Sequence, residues 1–235
     1  MRMRSRPKGF SLIELLVVLA IVGILVGVGL NFSLSRPSTA VRGITNDVYG
    51  VLQAAQNLAR NSGRNVALQT SGTEPAKTLT LQYGFFVQKA DGTDDFTQGP
   101  GSTAANPVMG SLVLDTSLSR YAQIGDASTN QLSTASPSPS PGADTTLSTM
   151  EPASFWSSSS NDLFSGSTTP ASPAVFYIKS DGNPSQDFYI PIIGVRSGTV
   201  GTDLPLGVIL ASRSNGLLMF LKSNSSDSTK PWRRL

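Results

Sequence analysis

The sequence predicts an α+β protein: one long N-terminal α-helix laid on an antiparallel β-sheet, with a Ser/Thr/Pro-rich insertion. Three observations lead there. An apolar run of about 20 residues follows a short basic leader, helical periodicity resumes after that run, and most of the remainder alternates apolar and polar residues between Gly, Asp and Asn turns.

The apolar run lies within Lys8 to Leu30, KGFSLIELLVVLAIVGILVGVGL. About 20 helical residues span the roughly 30 Å hydrocarbon core of a bilayer. Glu14 interrupts the run, and a carboxylate in that setting costs a few kcal/mol unless it finds a partner. An ordinary signal peptide would place a small-residue cleavage site after an apolar region of about 7–15 residues. Here the run is longer, and the cleavage-like Gly9-Phe10 step precedes it.

At Gly9-Phe10-Ser11-Leu12-Ile13-Glu14 the chain resembles the class III signal of type IV prepilins and type II secretion pseudopilins. The resemblance implies that a prepilin peptidase cuts between Gly9 and Phe10 and methylates the new amino terminus of Phe10. It also implies an assembly role for Glu14. The cationic amine of one helix and the Glu14 carboxylate of its neighbour would each find a partner where water is absent, and the pairing would set the register between subunits.

Four basic residues, Arg2, Arg4, Arg6 and Lys8, stand in the leader with no acid beside them. The whole chain carries 18 Lys and Arg against 15 Asp and Glu, so 14 basic side chains remain once the leader is cut. The mature chain is near neutral, and bulk charge gives no argument for nucleic-acid binding. By the positive-inside rule the leader holds the amino end in the cytoplasm. The expected organisation is a leader at 1–9, a transmembrane or filament-core helix at 10–36, and an exported globular domain at 37–235. The chain contains neither Cys nor His. Thiol catalysis, Ser-His-Asp triads, the usual zinc sites and disulfide staples are thereby excluded.

Within the run, Gly23 and Gly27 form a small-xxx-small pair that permits close helix approach, although glycine is common in membrane helices anyway. Arg36-Pro37 is expected to end or kink the helix. Val41, Ile44, Val48, Leu52, Ala55 and Leu58 then recur at three- and four-residue steps, which predicts an amphipathic helix capped by Gly63. Strands are expected over Asn65–Thr70, Thr78–Val87, Val108–Leu114, Arg120–Ile124, from Ala174, Phe188–Val195, Leu206–Ser212 and Leu217–Lys222. Asp91-Gly92, Asp94-Asp95, Asp181-Gly182 and Asn215-Gly216 are expected turns. The Ser/Thr/Pro-rich stretch at about 127–172 cannot bury a core by itself and is expected to be a flexible surface excursion, open to glycosylation. Phe155-Trp156 would pin it to the body or serve as an exposed contact, and pinning is favoured because large aromatics are usually buried. The passage VLQAAQNLARNSGRNV, Val51 to Val66, and the carboxyl-terminal strand pattern are similar to GspH/FimT-like minor pseudopilins.

Two clusters invite a chemical reading. Asp91, Asp94 and Asp95 offer carboxylate oxygens for calcium but lack the twelve-residue spacing with a closing Glu, so a solvated turn is favoured. Lys222, Lys230, Trp232, Arg233 and Arg234 interleave cations with an aromatic, the minimal form of a single-stranded nucleic-acid platform. The alternative is a solvated terminus with Trp232 packed back on the sheet. Some GspH/FimT-like members bind DNA in natural transformation through a basic stretch near the carboxyl end. This chain has Pro231-Trp232-Arg233-Arg234 there and no Gly-Arg-x-Arg.

The expected function is that of a minor pilin or pseudopilin, a structural subunit and not an enzyme, which needs no cofactor. Its expected partners are other subunits through the helix, the prepilin peptidase and the inner membrane. A DNA-uptake pilin and a surface adhesin are the alternatives.

Overall fold

The structure is a computed structural model; it describes residues 12–71, 80–103, 106–113, 120–124, 147, 150–156, 161–163, 176–196, 199–200, 203–223 and 232–235. Most of the Ser/Thr/Pro-rich stretch lies outside these residues, as do Thr78, Leu114 and Phe164. The chain divides into two compact units, Met1–Arg36 and Pro37–Leu235.

Helix α1 spans Leu12–Ser62 and contains Pro37. Of the end or kink expected at Arg36-Pro37, the end is not found, and the one long helix that the periodicity implied is present. Proline cannot donate to the carbonyl of Ser33, yet the residues after it stay helical because packing rewards them. Ala40, Val41, Ile44, Val48, Leu52, Ala55 and Ala59 are all buried, on one stripe of the helix. Gly63 ends it as expected, with a φ of 66° and its amide donating to Ala59 O at 2.9 Å.

The strands form two main antiparallel sheets where one was expected. The first orders as β5 (Gly110–Val113), β2 (Thr80–Phe85), β1 (Val66–Ser71) and β7 (Tyr177–Ile178). The second orders as β12 (Arg233–Arg234), β11 (Gly216–Lys222), β10 (Leu206–Ser212), β8 (Phe188–Arg196) and β6 (Ala122–Ile124), with β9 (Thr199–Val200) paired to β8. Sequence reading missed β9 and β12, which are only two residues each. Asp94-Asp95 corrects a second expectation. It is strand β4, paired with β3 (Val87–Gln88), and the turn lies between them at Gly92, whose φ is 82°. The backbone chooses here, since Lys89 N donates to Thr93 O at 2.8 Å and closes the hairpin one step before Asp94.

The helix stripe packs on the inward residues of both sheets. Val66, Leu68 and Leu81 of the first sheet share one core with Ile124, Phe188, Ile190, Ile192, Ile209 and Ala211 of the second. Gly207 permits the close approach: a Cβ there would stand 2.5 Å from Thr45 Oγ1 and 3.2 Å from Val41 Cγ1.

The second sheet has another apolar face. Tyr189, Ile193, Leu206, Val208, Leu210, Leu218 and Phe220 point away from α1 and are covered by Leu147, Phe155, Trp156 and Trp232. A short helix, α2 (Ala153–Trp156), presents the two aromatics. Trp156 Nε1 donates to Glu151 O at 3.1 Å, and Tyr189 Oη donates to Trp156 O at 3.0 Å. Phe155, Trp156 and Tyr189 stand 5.1–5.7 Å apart, centroid to centroid. The pinning reading of Phe155-Trp156 therefore holds.

Trp156→Ala should destabilise the protein by about 3–5 kcal/mol, as large aromatic truncations in cores do. Val113→Ala, at a side chain 62% exposed, should change stability by about 0.5 kcal/mol or less. Gly207→Val should cost about 1–3 kcal/mol through overpacking against α1. Urea denaturation of the full chain in mild detergent measures all three.

Candidate assembly signal and carboxyl-terminal basic site

Gly9 and Phe10 lie outside the described residues. Glu14 is in the helical backbone of α1, and its side chain lies outside the described set. Its apolar neighbours are described. Ile13, Leu15, Leu16, Val17, Val18, Leu19, Ile21 and Val22 are each 50–70% exposed. Consecutive positions on a helix point around its whole circumference, so this surface is apolar on every side. Among the described residues nothing covers it to the extent a core residue is covered. Such a surface calls for lipid or other apolar helices, because soluble monomers rarely expose contiguous apolar patches beyond a few hundred Å². Among the described residues no helix is long and apolar enough to cross a membrane, the side chains of residues 23–35 being outside that set.

At the other end of the sequence, Lys230 lies outside the described residues. Trp232 is 4% exposed, so its ring offers no open face on which a base could stack. It sits in the second apolar core instead, with the Lys222 ammonium 5.9 Å from the ring centroid. Lys222 is itself buried, whereas Arg233 and Arg234 are exposed on β12. Phe220 pairs with Arg234 and Leu221 with Arg233, so the tail is the edge strand of a sheet.

The acidic hairpin is occupied by its own backbone. Asp91 Oδ1 accepts from Thr93 Oγ1 at 2.6 Å and from Thr93 N at 2.9 Å, and Asp95 Oδ1 does the same with Thr97 at 2.6 and 3.0 Å. Asp94 Oδ2 accepts from Asn65 Nδ2 at 2.8 Å, and Asn65 Oδ1 accepts from Ser180 N at 3.1 Å. These bonds tie the hairpin to the turn after β7. The threonine hydroxyls first, and then the threonine amides, hold Asp91 and Asp95 below the ordinary carboxylate range. Glu151 moves the other way, raised first by burial and then by the nearby Asp187 charge. Among the described residues no group of three or more acidic side chains is arranged to hold a metal ion.

With that geometry in view, comparison with known proteins yields one match. Residues 4–30 match the prokaryotic N-terminal methylation motif, the class III prepilin signal of type IV pilins and pseudopilins. The match covers the leader and the apolar run and indicates a pilin-like amino terminus processed by prepilin peptidase. No curated protein and no solved structure matches the chain.

A carboxylate with a depressed folded pKa adds stability above its ordinary range and loses it as pH falls through the folded value. An acid with a raised pKa does the reverse, and its cost appears as pH rises through the ordinary range. NMR titration should therefore give midpoints for Asp91 and Asp95 below the usual Asp value and a midpoint for Glu151 above the usual Glu value. Thr93→Val should return Asp91 toward the ordinary range. Millimolar calcium should leave all three unmoved.

Proposed function

We propose that this chain is a minor pilin or pseudopilin, a subunit that is cut after Gly9, methylated at Phe10 and built by its amino-terminal helix into a type IV pilus or type II secretion pseudopilus. The prepilin signal at residues 4–30 carries the proposal. The apolar surface of Ile13 to Val22 supports it, because that surface needs lipid before assembly and neighbouring helices afterwards. Before assembly the subunit is a single-pass protein of the inner membrane, with its amino end cytoplasmic and residues 37–235 exported. Its role is structural. The peptide cleavage and methyl transfer belong to the processing enzyme.

Glu14 answers the amine that cleavage creates. Each charge alone in a low-dielectric layer is costly, and together they satisfy one another between adjacent subunits. The GspH/FimT-like assignment rests on the helix end at Val51 to Val66 and on the carboxyl-terminal hairpin pattern.

Two alternatives receive less support. A nucleic-acid platform would need Trp232 open to a base, and that ring is in a core. The adhesin reading places its binding face on the 127–172 excursion, most of which lies outside the described residues; within it Phe155 and Trp156 are buried and offer no exposed contact.

Mass spectrometry of protein taken from filaments tests the proposal. The expected mass begins at Phe10 and includes one methyl group, whereas an intact Met1 end would refute it. Gly9→Ala should insert in the membrane but stay uncut or be cut slowly. Glu14→Leu should be cut normally yet assemble poorly, since removing one member of a buried ion pair costs about 3–5 kcal/mol. Immunoblots of membrane and sheared-filament fractions separate the two defects.

A further inference from the structure

In the exported unit, a cleft of about 380 Å³ opens between α1 and the β12 edge of the second sheet. Its size lies within the roughly 300–1,000 Å³ of small-ligand sites. Two cations from two elements reach it, Arg42 of α1 and Arg233 of β12, while the Lys222 side chain at the end of β11 lies on the other face of the sheet with its cross-strand partner Leu206. No Asp or Glu is among the lining residues. Arg42 and Arg233 are exposed, and Lys222 is held beside the Trp232 ring. The remaining wall is largely apolar, with Val41 and Leu221 contributing.

We infer that this cleft binds the phosphodiester headgroup of an anionic phospholipid. Guanidinium groups from separate elements can converge on phosphate oxygens with charge-assisted hydrogen bonds. The apolar wall beside them suits the glycerol and first methylenes of a lipid, which free phosphate lacks. A nucleic acid fits less well, because the cleft holds one headgroup and the neighbouring Trp232 is buried. The choice of a lipid rests on the membrane insertion proposed above, but the cleft itself is tested independently of cleavage and filament assembly.

The test uses the full chain in a neutral maltoside detergent at low salt. Short-chain phosphatidylglycerol, the matching phosphatidylcholine, inorganic phosphate and oligothymidylate are titrated by calorimetry, and tryptophan fluorescence reports on Trp232, next in sequence to Arg233. Saturable phosphatidylglycerol binding is expected, about tenfold or more tighter than for the other three probes. The double variant Arg42→Gln/Arg233→Gln should weaken it by about tenfold or more, while Arg120→Gln, an exposed arginine elsewhere, should not. Unchanged melting of the double variant excludes misfolding as the cause. If the double variant melts lower, a negative charge introduced by Ser38→Glu, also in the lining, replaces it and should give the same loss. Equal binding of phosphatidylcholine or phosphate, stronger binding of oligothymidylate, no binding, or an equal loss in Arg120→Gln would each overturn the inference.

Discussion

The Pro37–Leu235 unit depends on a sheet that is apolar on both faces. Strand β8 is buried at every position from Phe188 to Val195, and β10 from Leu206 to Ser212. Alternate residues of each strand serve opposite cores. A sheet of this kind is stable in water only when both faces are covered. Helix α1 covers one. The described part of the Ser/Thr/Pro-rich stretch covers the other, through Leu147, Phe155 and Trp156, aided by Trp232 from the tail. Neither cover can be removed without exposing a continuous apolar surface.

That requirement accounts for the hydrogen bonding around the covers. The carboxyl end of α1 is anchored to the turn after β7, where Gln56 Nε2 donates to Gly182 O at 3.1 Å and Arg60 Nε to Asp181 O at 3.4 Å. Arg64 lies 4.4 Å over the Phe85 ring and donates to Phe86 O at 3.2 Å, joining the helix exit to the first sheet. On the far face, Asn161 Nδ2 donates to Phe155 O at 3.2 Å and Leu163 N to Tyr189 O at 3.1 Å. Surface ion pairs contribute little by comparison. Arg196–Asp203 is exposed on both sides, and an exposed pair of that kind is worth about 0–1 kcal/mol.

The amino-terminal unit obeys the opposite rule. Its helix buries none of the described apolar side chains from Ile13 to Val22 within the chain. Hydrophobic association is non-directional and proportional to area, so such a surface by itself selects no particular neighbour. A charged position differs from such area in being directional, and Glu14 is the one Asp, Glu, Lys or Arg from Phe10 to Leu30. The Pro37–Leu235 unit meets its apolar needs within its own two cores.

Much was legible in the residues alone. Periodicity located the stripe of Val41, Ile44, Val48, Leu52 and Ala55, because 3.6-residue spacing is a local property of the chain. Glycines marked the helix end at Gly63 and the turns at Gly92, Gly182 and Gly216, because positive φ strongly favours that residue type. The processing signal was legible for the same reason: it is read from contiguous residues before folding. Only tertiary structure decided the rest. Pro37 stays helical because distant strands bury the residues that follow it. The strands divide into two sheets because pairing depends on partners far away in sequence. Trp232 joins a core because Leu218 and Phe220 await it. The apolar runs Phe188 to Ile193 in β8 and Val208 to Ala211 in β10 carry the mark of a sheet covered twice. Which segment would supply the second cover was a matter of long-range packing, and no local pattern encodes it.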